Sequence, residues 1–215
     1  KELDRLKDDI MSSVTHELRT PLTSIRAFSE MMSEDPDIDV EDRQRFLGII
    51  VSETVRLTRL VNQVLDMAKI ESGHAEWHNT DIDLRELVQH SVDATMQLFR
   101  DRGAQVHVHL PASVPTLRAD HDRLLQVMLN LLSNAAKFVP TGSGRVDVTL
   151  RCEGLRLRVD VKDNGPGIPP ELQPVVFQKF RQGGDERSRP QGTGLGLPIS
   201  RQIVEHFGGR LWLDS

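Results

Sequence analysis

The spacing of apolar residues changes once along this chain, and that change divides it in two. Up to about residue 72 they recur at alternating steps of four and three: Phe46, Ile50, Leu57, Leu60, Val64 and Met67, with Glu53 standing in one place of the row. Such a repeat turns one stripe of a helix toward other helices, as in a coiled coil. From about residue 80 the pattern becomes short helical stretches separated by alternating ones, most clearly 145–152 and 155–162. The expected architecture is therefore a helical hairpin over 1–73, a linker at 74–79, and an α+β sandwich over 80–215 with helices on one face of a mixed sheet.

In the first helix the row reads Met11, Val14, Leu18, Leu22, Ile25 and Met32, and slips by one residue beside Pro21. Proline has no backbone N–H to donate, so a kink is expected there. The polar stretch SEDPDIDVED forms the turn. One hairpin buries little apolar surface alone, which predicts a homodimer closed as a four-helix bundle.

In the second region, helices are expected over 84–103, 120–138 and 194–209, the second capped by Asp120. Strands are expected at QVHVHL, on both sides of a Glu153-Gly154 turn, and at the closing GRLWLDS. Cys152 aligns with Val146, Val148 and Leu150, and Leu155 with Leu157, Val159 and Val161, which would place both in the core. The single cysteine excludes an internal disulfide. A net charge of -5 argues against nucleic-acid binding. No apolar run approaches the ~20 residues of a membrane helix. The charged opening KELDRLKDD is unlike a signal peptide. These features read as a cytoplasmic fragment of a longer protein, with room for sensor, membrane or receiver segments on either side.

Several elements of the second region suit one polyanionic ligand. Gln126, Asn130, Asn134 and Lys137 share one face of a helix, with Leu124, Met128, Leu131 and Ala135 opposite. Amide oxygens of Asn130 and Asn134 are hard neutral ligands suited to Mg²⁺, and Lys137 is a point charge for phosphate; a merely solvated face would look the same. Asp163-Asn164-Gly165-Pro166-Gly167-Ile168 follows a strand. Its glycines permit close approach by a flat ligand, and the Asp163 carboxylate can accept a hydrogen bond from an amine such as adenine N6; an ordinary turn is the alternative. Gly192-Thr193-Gly194-Leu195-Gly196-Leu197 opens a helix, where backbone N–H groups suit phosphate. It is neither a Walker motif nor a dinucleotide fingerprint. Between these lie Phe177 to Arg181 and the polar RQGGDERSRPQ, a composition suited to a lid.

The order NLLSNAAKF, DNGPGI, VFQKF and GTGLGL resembles the N, G1, F and G2 boxes of the histidine-kinase ATP-binding domain of Bergerat type, and VTHELRTPLTSI resembles the H box of the phosphoacceptor domain. The resemblance covers nearly the whole chain, which departs from it in stopping at LWLDS. It implies a two-component sensor kinase that transfers the γ-phosphate of ATP to His16 and then to an aspartate of a response regulator. His16 lies outside the apolar row and should face solvent, where a neutral ring nitrogen can attack phosphorus. The resemblance further implies that Glu17 accepts the other ring proton or orients the ring, and that Thr20 supports phosphatase activity; Arg19 is placed to position phosphate. It places Asp163, Gly165, Gly167, Ile168, Phe180 and the 192–197 motif around ATP, with Asn130 and Asn134 at the metal. Related ATPases carry a glutamate at the place of Asn130; an amide cannot act as a base, which favours kinase over ATPase. An inactive dimeric scaffold is the remaining rival. His74, His78, His107 and His109 complete no metal set, and His206 suits a helix C-terminus.

Overall fold

The computed structural model of the chain describes residues 2–179 and 193–215. Phe180, Gly192 and the expected lid therefore lie outside the described residues. The chain forms two compact units, Lys1–His74 and Ala75–Ser215.

The first unit is a hairpin of α1 (Glu2–Glu34) and α2 (Val40–Glu71). Asp39 ends the turn as the N-cap of α2, its carboxylate accepting the Asp42 N–H at 2.8 Å. Helix α1 continues through Pro21, which is fully buried, whereas Leu22 is 51% exposed. The expected slip is thus absent. The inward row runs Val14, Leu18, Pro21, Ile25, Phe28 and Met32, in unbroken steps of four and three, and proline occupies a place in it. Phe28 meets Phe46 of α2 with ring centroids 5.0 Å apart. On α2, Phe46, Leu60 and Met67 are the buried members of the predicted row.

The second unit contains β1 (Asn79–Ile82), α3 (Leu84–Asp101), β2 (Gln105–His109), β3 (Leu117–Asp120), α4 (His121–Phe138), β4 (Arg145–Glu153), β5 (Arg156–Asp163) and α5 (Gly196–His206). Strands β2, β4 and β5 form one sheet, parallel between β2 and β4 and antiparallel between β4 and β5; β1 and β3 pair antiparallel. Val88, Val92 and Phe99 of α3, Leu132 and Ala135 of α4, and Val146, Val148 and Leu150 of β4 make the core. Leu132 takes the core place expected for Leu131. Burying whole apolar side chains of this size is worth about 1.5–3 kcal/mol each.

Some expectations fail at element ends. Cys152 and Leu155 are exposed, at the end of the β4–β5 ladder where it closes into a turn with Gly154 at φ +64°. Residues 210–215 form no strand; they pair with no other strand among the described residues. The missed strand β3 escaped because four residues, Leu117–Asp120, are too short to show alternation. His206 ends α5 as expected, but its ring also stacks on Trp77 at 3.7 Å.

Candidate functional site

Helix α4 organises the second unit's site. Asp120 caps it, accepting the N–H of Arg123 at 3.1 Å and that of His78 at 2.8 Å. Burial pushes the Asp120 carboxyl up, but hydrogen bonds from the backbones of His78, Arg123 and Asp122 and the charge of Arg123 outweigh it and hold the group below the usual carboxylate value. The helix is thereby fixed at its start. Its inner stripe packs on the sheet, and Asn130, Asn134 and Lys137 remain half-buried on the other side.

Both glycine motifs meet this helix. At its C-terminal end, a Cβ on Gly165 would lie 2.9 Å from the Phe138 carbonyl oxygen and 2.7 Å from Asp163 Oδ1. Only glycine fits there without displacement. Gly165 donates its N–H to Asp163 Oδ1 at 2.8 Å, which orients the exposed carboxylate. Asn164 ties the same loop to β4, accepting from the Arg145 N–H at 2.7 Å and donating to the Ser143 carbonyl at 3.0 Å. Gly167 adopts φ +73°, and Ile168 donates its N–H to the Ser215 hydroxyl at 2.6 Å.

Midway along α4, Gly196 passes directly over Asn130: an added Cβ would fall 2.8 Å from the Asn130 Cγ. Asn130 donates its amide N–H to the Ser200 hydroxyl at 2.9 Å, and Ser200 is only 2% exposed. The amide nitrogen is thus engaged by Ser200, while the amide oxygen lies against the backbone of Gly196. Gly194 has φ +67°, Leu195 is fully buried, and α5 begins with no side-chain cap. Thr193 precedes it, its hydroxyl 3.4 Å from the Leu195 N–H, and Leu197 lies in its first turn. An uncapped helix start offers N–H groups to an anion. Asn130 and Asn134 fit a magnesium ion that takes most of its ligands from phosphate and water. No group of three His, Cys, Asp or Glu among the described residues could hold a metal.

In the first unit His16 is exposed and lines an open pocket of about 310 Å³ with Ser12, Thr15 and Arg19. Thr20 turns its hydroxyl back one turn to the His16 carbonyl at 3.3 Å. Glu17 reaches across to α2, where its Oε2 lies 3.5 Å from Arg56 Nη2. Sequence reasoning missed Ser200 and Arg56, and named Asn164 only as a member of its motif. The signal for Ser200 was its place one helical turn after Gly196, on the same face.

Residues 6–73 match the His Kinase A (phospho-acceptor) domain. Residues 119–215 match the histidine kinase-, DNA gyrase B- and HSP90-like ATPase family. The chain belongs to the histidine kinases. Among relatives of this histidine-kinase chain, Drug sensory protein A of Synechocystis is 37% identical over 100% of the chain, which spans only 34% of that protein's length. The catalytic domain of the histidine kinase ThkA is 30% identical, with a TM-score of 0.56, covering 63% of this chain and 86% of that one. ThkA in complex with the response regulator protein TrrA gives a TM-score of 0.76 at 27% identity, covering 100% of this chain and 60% of that one. Full-length ShkA in complex with AMPPNP gives 0.67 at 26% identity, covering 94% and 41%.

Proposed function

We propose that this chain is the catalytic core of a two-component sensor kinase: residues 80–215 bind ATP, the γ-phosphate passes to His16 on the 1–73 hairpin, and it then moves to an aspartate of a response-regulator partner. The observation that carries this reading is the convergence on α4, where Gly165 closes on Phe138 and Gly196 on Asn130. That leaves a polar face between two backbone approaches too close for any side chain. In this reading Asp163 accepts from the adenine amine, and Gly165, Gly167 and Ile168 admit the base. Lys137, with residues 193–197 and the start of α5, holds the phosphates. Phe180 and Gly192 belong to the same reading and lie outside the described residues. Asn130 and Asn134 would hold Mg²⁺, whose charge neutralises the triphosphate during transfer.

At His16 a nitrogen–phosphorus bond forms as the bond from phosphorus to the ADP oxygen breaks, and that electron pair leaves with ADP. Glu17 receives the proton of the other ring nitrogen, and Arg19, beside His16 in its pocket, steadies phosphate. Thr20 serves the hydrolysis of the phosphorylated partner, orienting the water that takes the phosphoryl group from its aspartate. The response-regulator partner is supported by the likeness to ThkA, whose complex contains one; ATP is supported by the ATPase family match and by the AMPPNP complex of ShkA.

A homodimer is part of the same reading. One residue ahead of the inner row, α2 carries a second heptad row: Leu47, Val51, Thr54, Thr58, Val61 and Leu65. Its four apolar members are 41–63% exposed. Two rows on one helix suit four helices in a bundle. Inner-membrane anchoring of the full-length sensor belongs to this proposal too; among the described residues no helix is long and apolar enough to cross a bilayer.

The test is incubation with γ-labelled ATP. Wild type should gain label that is acid-labile and base-stable. His16→Gln should bind ATP and gain none; wild-type labelling of that variant would remove His16 as the acceptor.

A further inference from the structure

Glu53 is the one charged residue in the inner row of α2, and nothing in the proposed chemistry requires it. The structure supplies a reason. Its side chain is 13% exposed, and Oε2 lies 3.5 Å from Arg56 Nη1 on the same helix. That oxygen is buried and has no hydrogen-bond partner among the described residues. Arg56, 24% exposed, extends its other terminal nitrogen to Glu17 Oε2 on α1, also at 3.5 Å. One guanidinium thus stands between two carboxylates on different helices, inside a hairpin that is otherwise apolar along this row. A carboxylate buried this far persists only with a cation beside it.

We infer that Arg56 is a positioning residue for Glu17: it holds Oε2 across the hairpin, leaves Oε1 for the imidazole of His16, and is itself fixed by Glu53. This rests on the proposed role of Glu17 as proton acceptor. Consecutive residues on a helix do not face each other. No hydrogen bond joins His16 to Glu17 among the described residues, so the carboxylate needs a hold from elsewhere to stay near the ring. The contact from Arg56 to Glu17 is single rather than forked, so a lysine charge can replace it.

The test compares wild type with Glu17→Gln, Arg56→Lys, the pair Glu53→Gln/Arg56→Met, which leaves no buried carboxylate alone, and the triple variant adding Glu17→Gln to that pair. The readouts are labelling rate with γ-labelled ATP, KM for ATP, and thermal unfolding by circular dichroism. The pair should label about tenfold or more slowly with KM unchanged, and Arg56→Lys should retain most of the rate. The triple variant should be no slower than Glu17→Gln. A pair that labels at the wild-type rate or faster, or that multiplies the loss of Glu17→Gln, overturns the inference while leaving the Glu17 role standing. If Glu17→Gln itself labels as wild type, the underlying reading of Glu17 fails first. Unfolding of the paired variant at assay temperature, with Arg56→Lys as slow as Glu17→Gln, also counts against it.

Discussion

Asn130 is held from beneath by Ser200 and roofed by Gly196, so its amide has little freedom. An amide pinned through its nitrogen has its oxygen fixed as well, here beside the Gly196 backbone, and the proposed magnesium role of Asn130 depends on that fixed position. Ser200→Ala removes the anchor. A hydrogen bond of this kind is worth about 0.5–1.5 kcal/mol net. The expected result is a several-fold loss of ATP-analogue affinity by calorimetry in magnesium, with affinity in chelator unchanged; an equal loss in both would assign Ser200 to packing. Gly196→Ala drives a methyl into the same amide, and affinity should fall more than about tenfold. Asp163→Asn keeps an acceptor oxygen for the Gly165 N–H but loses the charge that favours an amine. Its affinity for adenine nucleotides should also fall more than about tenfold, or about 1.4 kcal/mol. Equal affinity would defeat the adenine role.

At the scale of elements, α4 carries the site because both its ends are fixed. Asp120 joins the start of α4 to the segment before β1 through His78, so one carboxylate serves as helix cap and interstrand tie. Asp120→Ala should cost about 1–2 kcal/mol in thermal or urea unfolding. Because the folded state holds this carboxyl below its usual value, its stabilisation is complete above the unfolded value of roughly 3.9 and is lost as pH falls below that. The stability gap between wild type and Asp120→Asn should therefore be widest near neutrality and shrink below about pH 4. A gap that grows in acid would contradict the assignment. In the hairpin, Pro21 shows that a seam position asks for a buried apolar surface before it asks for a backbone donor. The row tolerates proline because the ring fills the place a leucine would take.

At the scale of the molecule, the outer row of α2 predicts the assembly. Val51→Glu with Val61→Glu places four carboxylates in a face closed by two copies, and should shift sedimentation from dimer to monomer while leaving nucleotide affinity in the second unit unchanged. A dimer that survives would locate the contact elsewhere. The sequence by itself determined the helical hairpin, the α+β second unit, the β4–β5 pairing and the residue types gathered on α4, because periodicity and glycine turns are local properties that survive without a partner. Only the tertiary structure decided that Pro21 and not Leu22 lies inside, that Leu132 replaces Leu131 in the core, and that β3 exists. It also decided that Ser200 grips Asn130 and Arg56 stands between Glu17 and Glu53. Each of these depends on which atoms from distant positions arrive at one place, and spacing along the chain carries no record of that.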